Sequence, residues 1–316
     1  MNIVAIVVTY NRKKLLKECL DSLLEQTTKL NKIIIIDNNS TDNTYEYLKE
    51  ECIFNNESIY YKKLNKNIGG AGGFYEGIKL SQEFNPEWLW IMDDDTIPKS
   101  DCLEKLIDAK NTVKEKISYL ASSIYGMNNE FMNVPNINTE QSESGYPNWY
   151  QYLSSGIVRI KEATFVSLLI NNEAVKEIGY PVKDYFIWGD DTEYTLRLTK
   201  YYGNAYLVGN SIAIHKRAVS KQLSLYEETN VNRINFYYYM IRNTLINKNE
   251  YYGKKEGVRY LLRNIKNSLK ILFDKNCKLR FKKFIIIHKA INSYILKKYD
   301  YRAFKNRLNI NVEYKN

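Results

Sequence analysis

The sequence predicts an α/β fold, with a mixed, mainly parallel sheet over residues 1–220 and a basic, mainly helical C-terminal region over residues 221–316. Short apolar runs rich in Val and Ile alternate with segments that carry leucines at helical spacing, the pattern of alternating strands and helices. After Val231 the pattern is mostly helical. Polar residues collect directly after the apolar runs, where ligands bind in open parallel sheets. A candidate site is therefore expected at the carboxyl ends of the strands.

The first half of the chain contains four predicted strands. Ile3 to Val8 is an unbroken run of β-branched and small apolar residues, and KKLLKECLDSLLEQ after it has the leucine spacing of a helix. KIIIID, SIYYKKL and EWLWIM are the next three candidate strands. Continuous apolar strands of this kind, separated by helices, indicate a parallel sheet that is covered on both faces.

The second half begins with a predicted loop or lid from Tyr125 to Tyr152, which is rich in Asn, Ser, Glu and Pro. Ala163 to Ile170 is predicted as a strand and NNEAVKEIG as a helix. DDTEYTLRLTKYYG is predicted as a helix that opens with carboxylates, which suit the positive end of its dipole. AYLVGNSIAIHK returns as a strand. Three helical segments follow: VNRINFYYYMIRNTLIN, GVRYLLRNIKNSLKILF and FKKFIIIHKAINSYILKKY.

Composition narrows the class of protein. The four cysteines are scattered without a CxxC pair, which argues against a disulfide framework or a zinc knuckle and favours a reducing, cytoplasmic setting. The first residues, MNIVAIVVTYNRKK, lack the basic region and the longer apolar run of a signal peptide. No apolar stretch approaches the ~20 residues of a membrane span.

Positive charge is concentrated in the C-terminal region. Residues 216–316 contain 24 Lys and Arg against 7 Asp and Glu, whereas the first 215 residues contain 22 against 29. Such a tail is expected to meet an anionic surface. It interleaves basic with apolar residues at helical spacing, as helices on an anionic membrane do. Two alternatives remain open: the helices pack on each other and expose a basic rim, or the aromatic stretch NFYYYM makes a homo-oligomer. Nucleic acid is not an expected partner, because no reading motif accompanies the charge.

Three aspartates, Asp93 to Asp95, directly follow the apolar run EWLWIM. Strand alternation predicts that Asp93 and Asp95 point to one side and Asp94 to the other. Oxygen ligands of this kind suit Mg²⁺ or Mn²⁺, and such a cation usually also binds a substrate diphosphate. The alternative is a solvated acidic turn.

Two further segments carry candidate binding chemistry. NKNIGGAGGFYEG has four glycines in five residues before a predicted helix, where backbone can approach an anion closely. It matches neither a Walker loop nor a dinucleotide fingerprint, and a flexible connector is the alternative. FIWGDDTEYTLR supplies a second carboxylate cluster, whose aspartates either accept a proton or cap a helix. His215 ends a strand and is a candidate nitrogen ligand for the same cation, whereas His288 lies in a helical pattern and is expected to be structural.

Taken together, VVTYNR, DNNSTDNT, NIGGAGGF, MDDDT, WGDDTEY and IHK resemble the family 2 glycosyltransferases, in the order of that family and over roughly residues 1–220. The resemblance implies an inverting nucleotide-sugar enzyme with the fold called GT-A. Within the family, NIGGAGGF and DDTEYTLR look most like the galactofuranosyltransferases, and the rhamnosyltransferases of surface-polysaccharide assembly are similar.

The resemblance also implies roles for individual residues. Residues that would hold the uracil and ribose of a UDP-sugar are Thr9, Arg12 and Asp37. Residues that would line the diphosphate and donor sugar are Asn67, Gly69 and Gly70, with Asp94 facing the sugar or ribose. Ligands of Mn²⁺ or Mg²⁺ would be Asp93, Asp95 and His215. Asp191 would be the catalytic base and Asp190 would orient the acceptor, while Trp188 would stack on a sugar or belong to the core.

The function expected from the resemblance is transfer of galactofuranose from UDP-galactofuranose to a lipid-linked glycan acceptor in bacterial surface polysaccharide synthesis. A peripheral location on the cytoplasmic face of the membrane follows from it. The first alternative is a dTDP-rhamnose-dependent rhamnosyltransferase. From another class, DDDT and GDD suggest a haloacid-dehalogenase-type phosphatase, although that family places its nucleophile after the first strand. A nucleotidyltransferase is disfavoured, because no N-terminal glycine-rich loop carries Arg and Lys.

Overall fold

The computed structural model describes residues 1–217 and 224–298, which form eleven strands and nine α-helices. The strands are β1 Ile3–Thr9, β2 Lys32–Asp37, β3 Ile59–Lys63, β4 Trp88–Asp93, β5 Thr96–Pro98, β6 Ile117–Tyr125, β7 Phe131–Met132, β8 Asn136–Ile137, β9 Ile157–Glu162, β10 Leu168–Asn171 and β11 Asn204–His215. The helices are α1 Lys13–Leu24, α2 Thr44–Glu50, α3 Gly69–Ser81, α4 Cys102–Thr112, α5 Asn172–Ile178, α6 Asp190–Tyr201, α7 Val231–Tyr251, α8 Lys254–Phe273 and α9 Arg280–Ile295.

The strands form one mixed sheet with the order β3-β2-β1-β4-β10-β6-β11-β9-β8. Strands β3, β2, β1 and β4 are parallel neighbours. Strand β10 is antiparallel to both β4 and β6, and β11 is parallel to β6, so β6 and β11 run in the same direction as β1. The long strands are therefore mainly parallel, and the predicted fold class is confirmed.

The central strands are apolar on both faces because helices cover both sides of the sheet. Along β1, Ile3 and Val7 pack into one core with residues of α1 and α4, while Val4 and Val8 pack into the other with residues of α3, α5 and α6. Alternation of side chains along a strand divides them in this way. The unbroken runs that predict β1, β2 and β4 are explained by this two-sided burial, whereas β3 lies at the edge of the sheet and is only partly buried.

One strand prediction was wrong in its extent. The strand predicted from Ala163 to Ile170 is formed only by β10, because Ser167 has a left-handed φ of 57° that interrupts extended backbone before Leu168. The preceding Phe165 is nevertheless buried, with its ring 4.7 Å from that of Phe74. Its apolar character therefore reflects core packing by a loop. The predicted loop from Tyr125 to Tyr152 is largely irregular, apart from the short strands β7 and β8.

Within residues 224–298, the described part of the C-terminal region, there are three helices, as predicted. They share a small apolar core, to which α7 contributes Ile241, α8 contributes Ile271 and α9 contributes Ile287. Nε2 of His288 lies 3.0 Å from the hydroxyl oxygen of Ser268. This contact between α8 and α9 confirms the structural position predicted for His288. The predicted domain boundary after residue 220 and the last residue of the third helical segment, Tyr299, lie outside the described residues. The division into two domains stays a prediction.

Among residues 1–217 and 224–298, none of the helices combines the length and apolar character needed to span a bilayer.

Candidate active site

The candidate site lies at the carboxyl ends of neighbouring parallel strands. The register places Thr9 opposite Asp37 and Val8 opposite Asp93, so the polar residues that end β1, β2 and β4 share one edge. His215 joins them because the end of β11 pairs with β5, where it lies opposite Thr96. Strand pairing thus brings together groups that are far apart along the chain.

Asp93, Asp95 and His215 form a cluster whose ligand atoms all lie within 4.8 Å of one another. Oδ1 of Asp95 is 3.1 Å from Nε2 of His215, yet it is buried and receives no hydrogen bond from the described part of the chain. A buried carboxylate oxygen without a donor is costly unless a cation faces it. Two carboxylates and one imidazole therefore fit a divalent metal ion.

The orientation of His215 depends on a residue that sequence reasoning missed. Nδ1 of His215 lies 2.9 Å from Oδ1 of Asn133. Because an amide oxygen only accepts, Nδ1 carries a proton and Nε2 faces Asp95 and the cation position. With a proton Nε2 pairs with Asp95, and without one it can bind a cation. Asn133 belongs to the irregular segment before β8, and no motif marks it.

The predicted alternation of the three aspartates is only partly right. Strand β4 ends at Asp93, so strand geometry does not govern the next two residues.

Burial and the charges of Asp95 and Asp94 hold the pKa of Asp93 well above its usual value. Burial also disfavours the charged form of Asp95, but His215 and Arg12 outweigh it and hold the pKa of Asp95 below its usual value. The site is therefore short of positive charge around Asp93.

Arg12 and Thr9 both contact Asp94. Nη1 of Arg12 is 2.7 Å from Oδ2 of Asp95 and 3.2 Å from Oδ1 of Asp94, while the hydroxyl of Thr9 donates to Oδ2 of Asp94 at 2.7 Å. Burial raises the pKa of Asp94 to about 6, against the opposing effect of Arg12. The guanidinium of Arg12 compensates part of the negative charge of the acidic cluster, and its side chain is 50% exposed.

Asp37 is fully buried at the end of β2 and is held by its neighbours. Its Oδ1 accepts from the backbone N–H of Ser40 at 2.7 Å, and its Oδ2 accepts from the hydroxyl of Tyr61 on β3. Burial and Asp37 raise the pKa of the Tyr61 phenol, so it remains a donor. Tyr61 is a second residue that the sequence did not reveal, since its role depends on the pairing of β2 with β3.

The glycine-rich segment was predicted as a loop before a helix, and this was wrong. Helix α3 begins at Gly69, so the glycines form its first turns. Gly69 has φ +78°, and a Cβ there would lie 2.0 Å from the carbonyl oxygen of Phe186. By contrast, a Cβ on Gly70 would meet nothing within 4 Å. Asn67 is exposed and its Oδ1 accepts from the N–H of Gly69 at 2.8 Å. Gly69 thus serves packing, while Asn67 and Gly70 lie beside open space.

Asp190 and Asp191 open α6, directly after Gly189. Burial and the charge of Asp191 raise the pKa of Asp190 to about 8, and burial raises the pKa of Asp191 to about 6 despite the N–H of Thr192, which donates to it at 2.7 Å. Two neighbouring carboxyls with separated pKa values give one proton acceptor and one donor near neutral pH. The charge of Asp190 also raises the pKa of Asp93, which places this pair within electrostatic range of the metal-ligand cluster.

Trp188 lies in the loop before the aspartates and is partly exposed. Its ring centroid is 5.4 Å from that of Tyr237 and 6.1 Å from that of Phe236, both on α7. Tyr239 of the same helix stacks on Phe186 at 4.9 Å. The aromatic stretch considered for self-association is therefore engaged within the chain, and oligomerisation stays a prediction without its support.

A family model described as glycosyl transferase family 2 matches residues 4–163, half of the chain. Galactofuranosyltransferase GlfT1 of Mycolicibacterium smegmatis is 32% identical over 94 residues, which cover 30% of each chain. A dolichyl N-acetyl-α-D-glucosaminyl phosphate 3-β-D-2,3-diacetamido-2,3-dideoxy-β-D-glucuronosyltransferase of Methanococcus voltae is 27% identical over 212 residues, covering 63% of this chain and 62% of that protein. The match thus spans under a third of the length of the first relative and under two thirds of the second.

A solved structure of GalNAc-T7 with UDP, GalNAc and Mn²⁺ superposes with a TM-score of 0.60 at 13% identity, covering 96% of this chain and 58% of that one. At this identity the likeness establishes the fold alone, and it agrees with the GT-A architecture. The matched residues include Asp93, Asp94 and Asp95, so the phosphatase alternative is not retained.

Proposed function

This chain belongs to glycosyl transferase family 2, and we propose that it is an inverting, metal-dependent glycosyltransferase that moves a sugar from a UDP-sugar to an acceptor hydroxyl. The observation that carries the proposal is the geometry of the metal-ligand cluster, together with the close approach of Phe186, four residues before Asp190, to Gly69 in the glycine-rich segment. Asp93, Asp95 and His215 form the cation position, and the Asp190–Asp191 pair lies within electrostatic range of it. A cation would stabilise the leaving group, and a carboxylate would accept the proton of the acceptor hydroxyl. The transfer reaction needs both functions.

In the proposed reaction Asp191 is the base. With a pKa of about 6 it is ionised at neutral pH and accepts the proton of the acceptor hydroxyl, whose oxygen attacks the anomeric carbon from the face opposite the nucleotide. The carbon–oxygen bond to the diphosphate breaks as the new glycosidic bond forms, so the configuration inverts. Asp190, protonated near pH 7, donates a hydrogen bond that orients the acceptor. Trp188 is a stacking surface for a sugar.

Donor binding is assigned to the edge formed by β1, β2 and α3. Asp37 and Arg12 would bind the base and ribose, with Thr9 acting through its hydrogen bond to Asp94. Asn67 and Gly70 would line the diphosphate, with Gly69 shaping the backbone beside them. When bound by the cluster of two carboxylates and one imidazole, Mn²⁺ or Mg²⁺ would supply positive charge to the diphosphate leaving group.

Galactofuranose is the proposed donor sugar. Support comes from the relative named galactofuranosyltransferase GlfT1 and from the similarity of NIGGAGGF and DDTEYTLR to that class. UDP as the nucleotide is supported by the fold it shares with a structure solved with UDP and Mn²⁺. The alternative donor is dTDP-rhamnose.

The proposed acceptor is a lipid-linked glycan at an anionic membrane, on its cytoplasmic face. The relative from Methanococcus voltae is named for a dolichyl phosphate-linked sugar, which supports a lipid-linked acceptor. All four cysteines are unpaired, which suits a reducing compartment.

Helix α8 is the proposed membrane contact. Val258, Leu262, Leu269 and Phe273 are between 46% and 76% exposed, and at ~100° per residue they span an arc of about 60°. Lys and Arg side chains occupy the adjacent arc: Arg259, Arg263, Lys266 and Lys270. An apolar stripe beside a basic stripe is the pattern of a helix lying in the interface of an anionic bilayer.

The donor proposal is tested by thermal unfolding with UDP, UDP-sugars and dTDP-sugars, each with Mn²⁺ and with EDTA. A metal-dependent rise of the unfolding temperature with UDP-galactofuranose is expected, and a preference for dTDP-rhamnose would move the proposal to the alternative donor.

The assignment of the base is tested by substitution. Asp191→Asn should abolish transfer and leave UDP binding intact. Loss of UDP binding in that variant would contradict the assignment of the base.

The membrane proposal is tested by flotation with vesicles of anionic or neutral lipid. Replacing Leu262 and Phe273 with Asp should reduce binding to anionic vesicles at least tenfold. A matched double replacement of Val134 and Tyr146, which are equally exposed outside the helix, should have no effect. Equal binding by both double variants would contradict the proposal.

A further inference from the structure

The loop formed by residues 184–189 connects to the proposed base and has unusual backbone conformations. Phe186 and Trp188 both have left-handed φ angles, of 63° and 60°, and Gly189 follows at 93°. Left-handed backbone costs a bulky aromatic residue of order 1–3 kcal/mol, and such strain persists only where surrounding contacts hold it. Phe186 and Trp188 are separated by a single residue, and both are strained. The loop therefore requires specific contacts that hold it in this conformation.

Helix α7 provides that support through buried amide side chains. Nδ2 of Asn243 donates to the carbonyl oxygen of Trp188 at 2.7 Å and lies 3.0 Å from that of Tyr185 and 3.3 Å from that of Ile187. Asn243 is fully buried. A buried amide with its donors directed at carbonyls of one short loop fixes the path of that loop.

Asn247 holds the residue next to the aspartates. Its Nδ2 donates to the carbonyl oxygen of Gly189 at 2.8 Å, and its Oδ1 accepts from the hydroxyl of Tyr185 at 2.8 Å. The same Gly189 oxygen accepts the N–H of Glu193, the first hydrogen bond of α6. Asn247 thus fixes the point from which Asp190 and Asp191 project.

The loop is also held from the opposite side. The N–H of Ala71, in the first turn of α3, donates to the carbonyl oxygen of Phe186 at 3.2 Å. Gly69 approaches the same oxygen too closely for a side chain. The loop therefore lies between α3, which faces the proposed donor, and α7.

We propose that Asn243 and Asn247 are positioning residues for the transfer reaction, and that α7 is part of the catalytic apparatus although it lies beyond the residues matched by the family model. This inference rests on the proposed function. The two amides keep the 184–189 loop in its strained path and so aim the carboxyls of Asp190 and Asp191 at the acceptor. A misplacement of about 1 Å at a reacting group can reduce the rate by 10²-fold.

The test compares Asn243→Ala and the milder Asn247→Ser with a matched control, Asn232→Ala, which is exposed on the same helix. Three quantities are measured: hydrogen exchange at residues 184–192, UDP binding with Mn²⁺, and kcat and KM for transfer. For Asn243→Ala we expect faster exchange confined to the loop and its junction with α6. We expect kcat to fall about 100-fold, with UDP affinity changed less than threefold. Asn247→Ser should show a smaller loss of the same kind, and the control none.

A kcat within threefold of the parent in both variants would overturn the proposal. So would unchanged exchange at residues 184–192, or a loss of UDP binding in parallel with kcat, which indicates a general structural role. If the parent protein itself transfers no sugar, the proposed function fails. The exchange measurement then still decides whether α7 holds the loop.

Discussion

Replacing Asp190 with Asn should stabilise the protein increasingly as pH rises from 4.5 to 8. The folded protein raises the pKa of Asp190 from 3.8 to about 8 because the carboxyl is buried beside Asp191. In the unfolded chain the carboxyl ionises near its ordinary pKa. Between pH 3.8 and about 8 the unfolded state binds fewer protons than the folded state. The free energy of unfolding of the parent therefore falls as the pH rises. The neutral amide of the variant avoids this loss.

The size of the effect follows from the shift. Four pKa units at ~1.4 kcal/mol each give an upper bound of about 6 kcal/mol at pH 8. Relaxation and water penetration reduce the cost of a buried charge, so a gain of at least ~2 kcal/mol is expected at pH 8. At pH 4.5, which is already above the ordinary pKa of the carboxyl, a smaller gain of about 1 kcal/mol is expected.

Urea unfolding at half-unit pH steps, in EDTA, measures this difference through the free energy of unfolding. Asp184→Asn is the matched control, because Asp184 is an exposed carboxyl close by in the sequence. A difference between the Asp190 variant and the parent that is constant across pH would refute the reasoning.

Three further predictions concern the same region. The rate of transfer should follow a bell-shaped pH profile, with an acid limb near 6 where Asp191 loses its proton and an alkaline limb near 8 where Asp190 does; a flat profile between pH 5 and 7 would count against this base. Gly69→Ala should lower the free energy of unfolding by at least ~2 kcal/mol in urea titrations, because its Cβ would overlap a carbonyl oxygen, whereas Gly70→Ala should not; equal stability of both variants would contradict the packing role. Arg197→Met should cost ~3–5 kcal/mol in the same assay, because it leaves the carboxylate of Glu193 buried without its 2.8 Å partner, and a loss below 1 kcal/mol would show that the pair is dispensable.

Local patterns were sufficient where burial alone determines the element. Strand β2 coincides with the predicted KIIIID, since a β-branched run buried on both faces has few alternatives. The grouping of Asp93 and Asp95 with His215 was also predicted, from the position of each group at the end of a strand and from the resemblance to a family. The pairing of β11 with β5, which brings His215 to these aspartates, has no local signal in the sequence.

The features that could not be predicted depend on tertiary contacts. Asn133 acquires its role only when the segment after β7 reaches His215 at the end of β11, and Tyr61 acquires its role only when β3 pairs with β2. Neither residue belongs to a motif. The glycine-rich segment was misassigned because glycine is unfavourable in helices. At Gly69, close packing against the 184–189 loop outweighs that preference.

The hydrogen bonds between α7 and the 184–189 loop bear on the construction of chimaeras from related enzymes. An exchange of C-terminal segments, intended to alter acceptor choice or membrane attachment, would separate donors from their carbonyl acceptors if the crossover lay between residues 189 and 231. A crossover after Tyr251, between α7 and α8, keeps both halves of this network from one parent. The unit of exchange is therefore better defined by the hydrogen-bond network than by the limits of the family match.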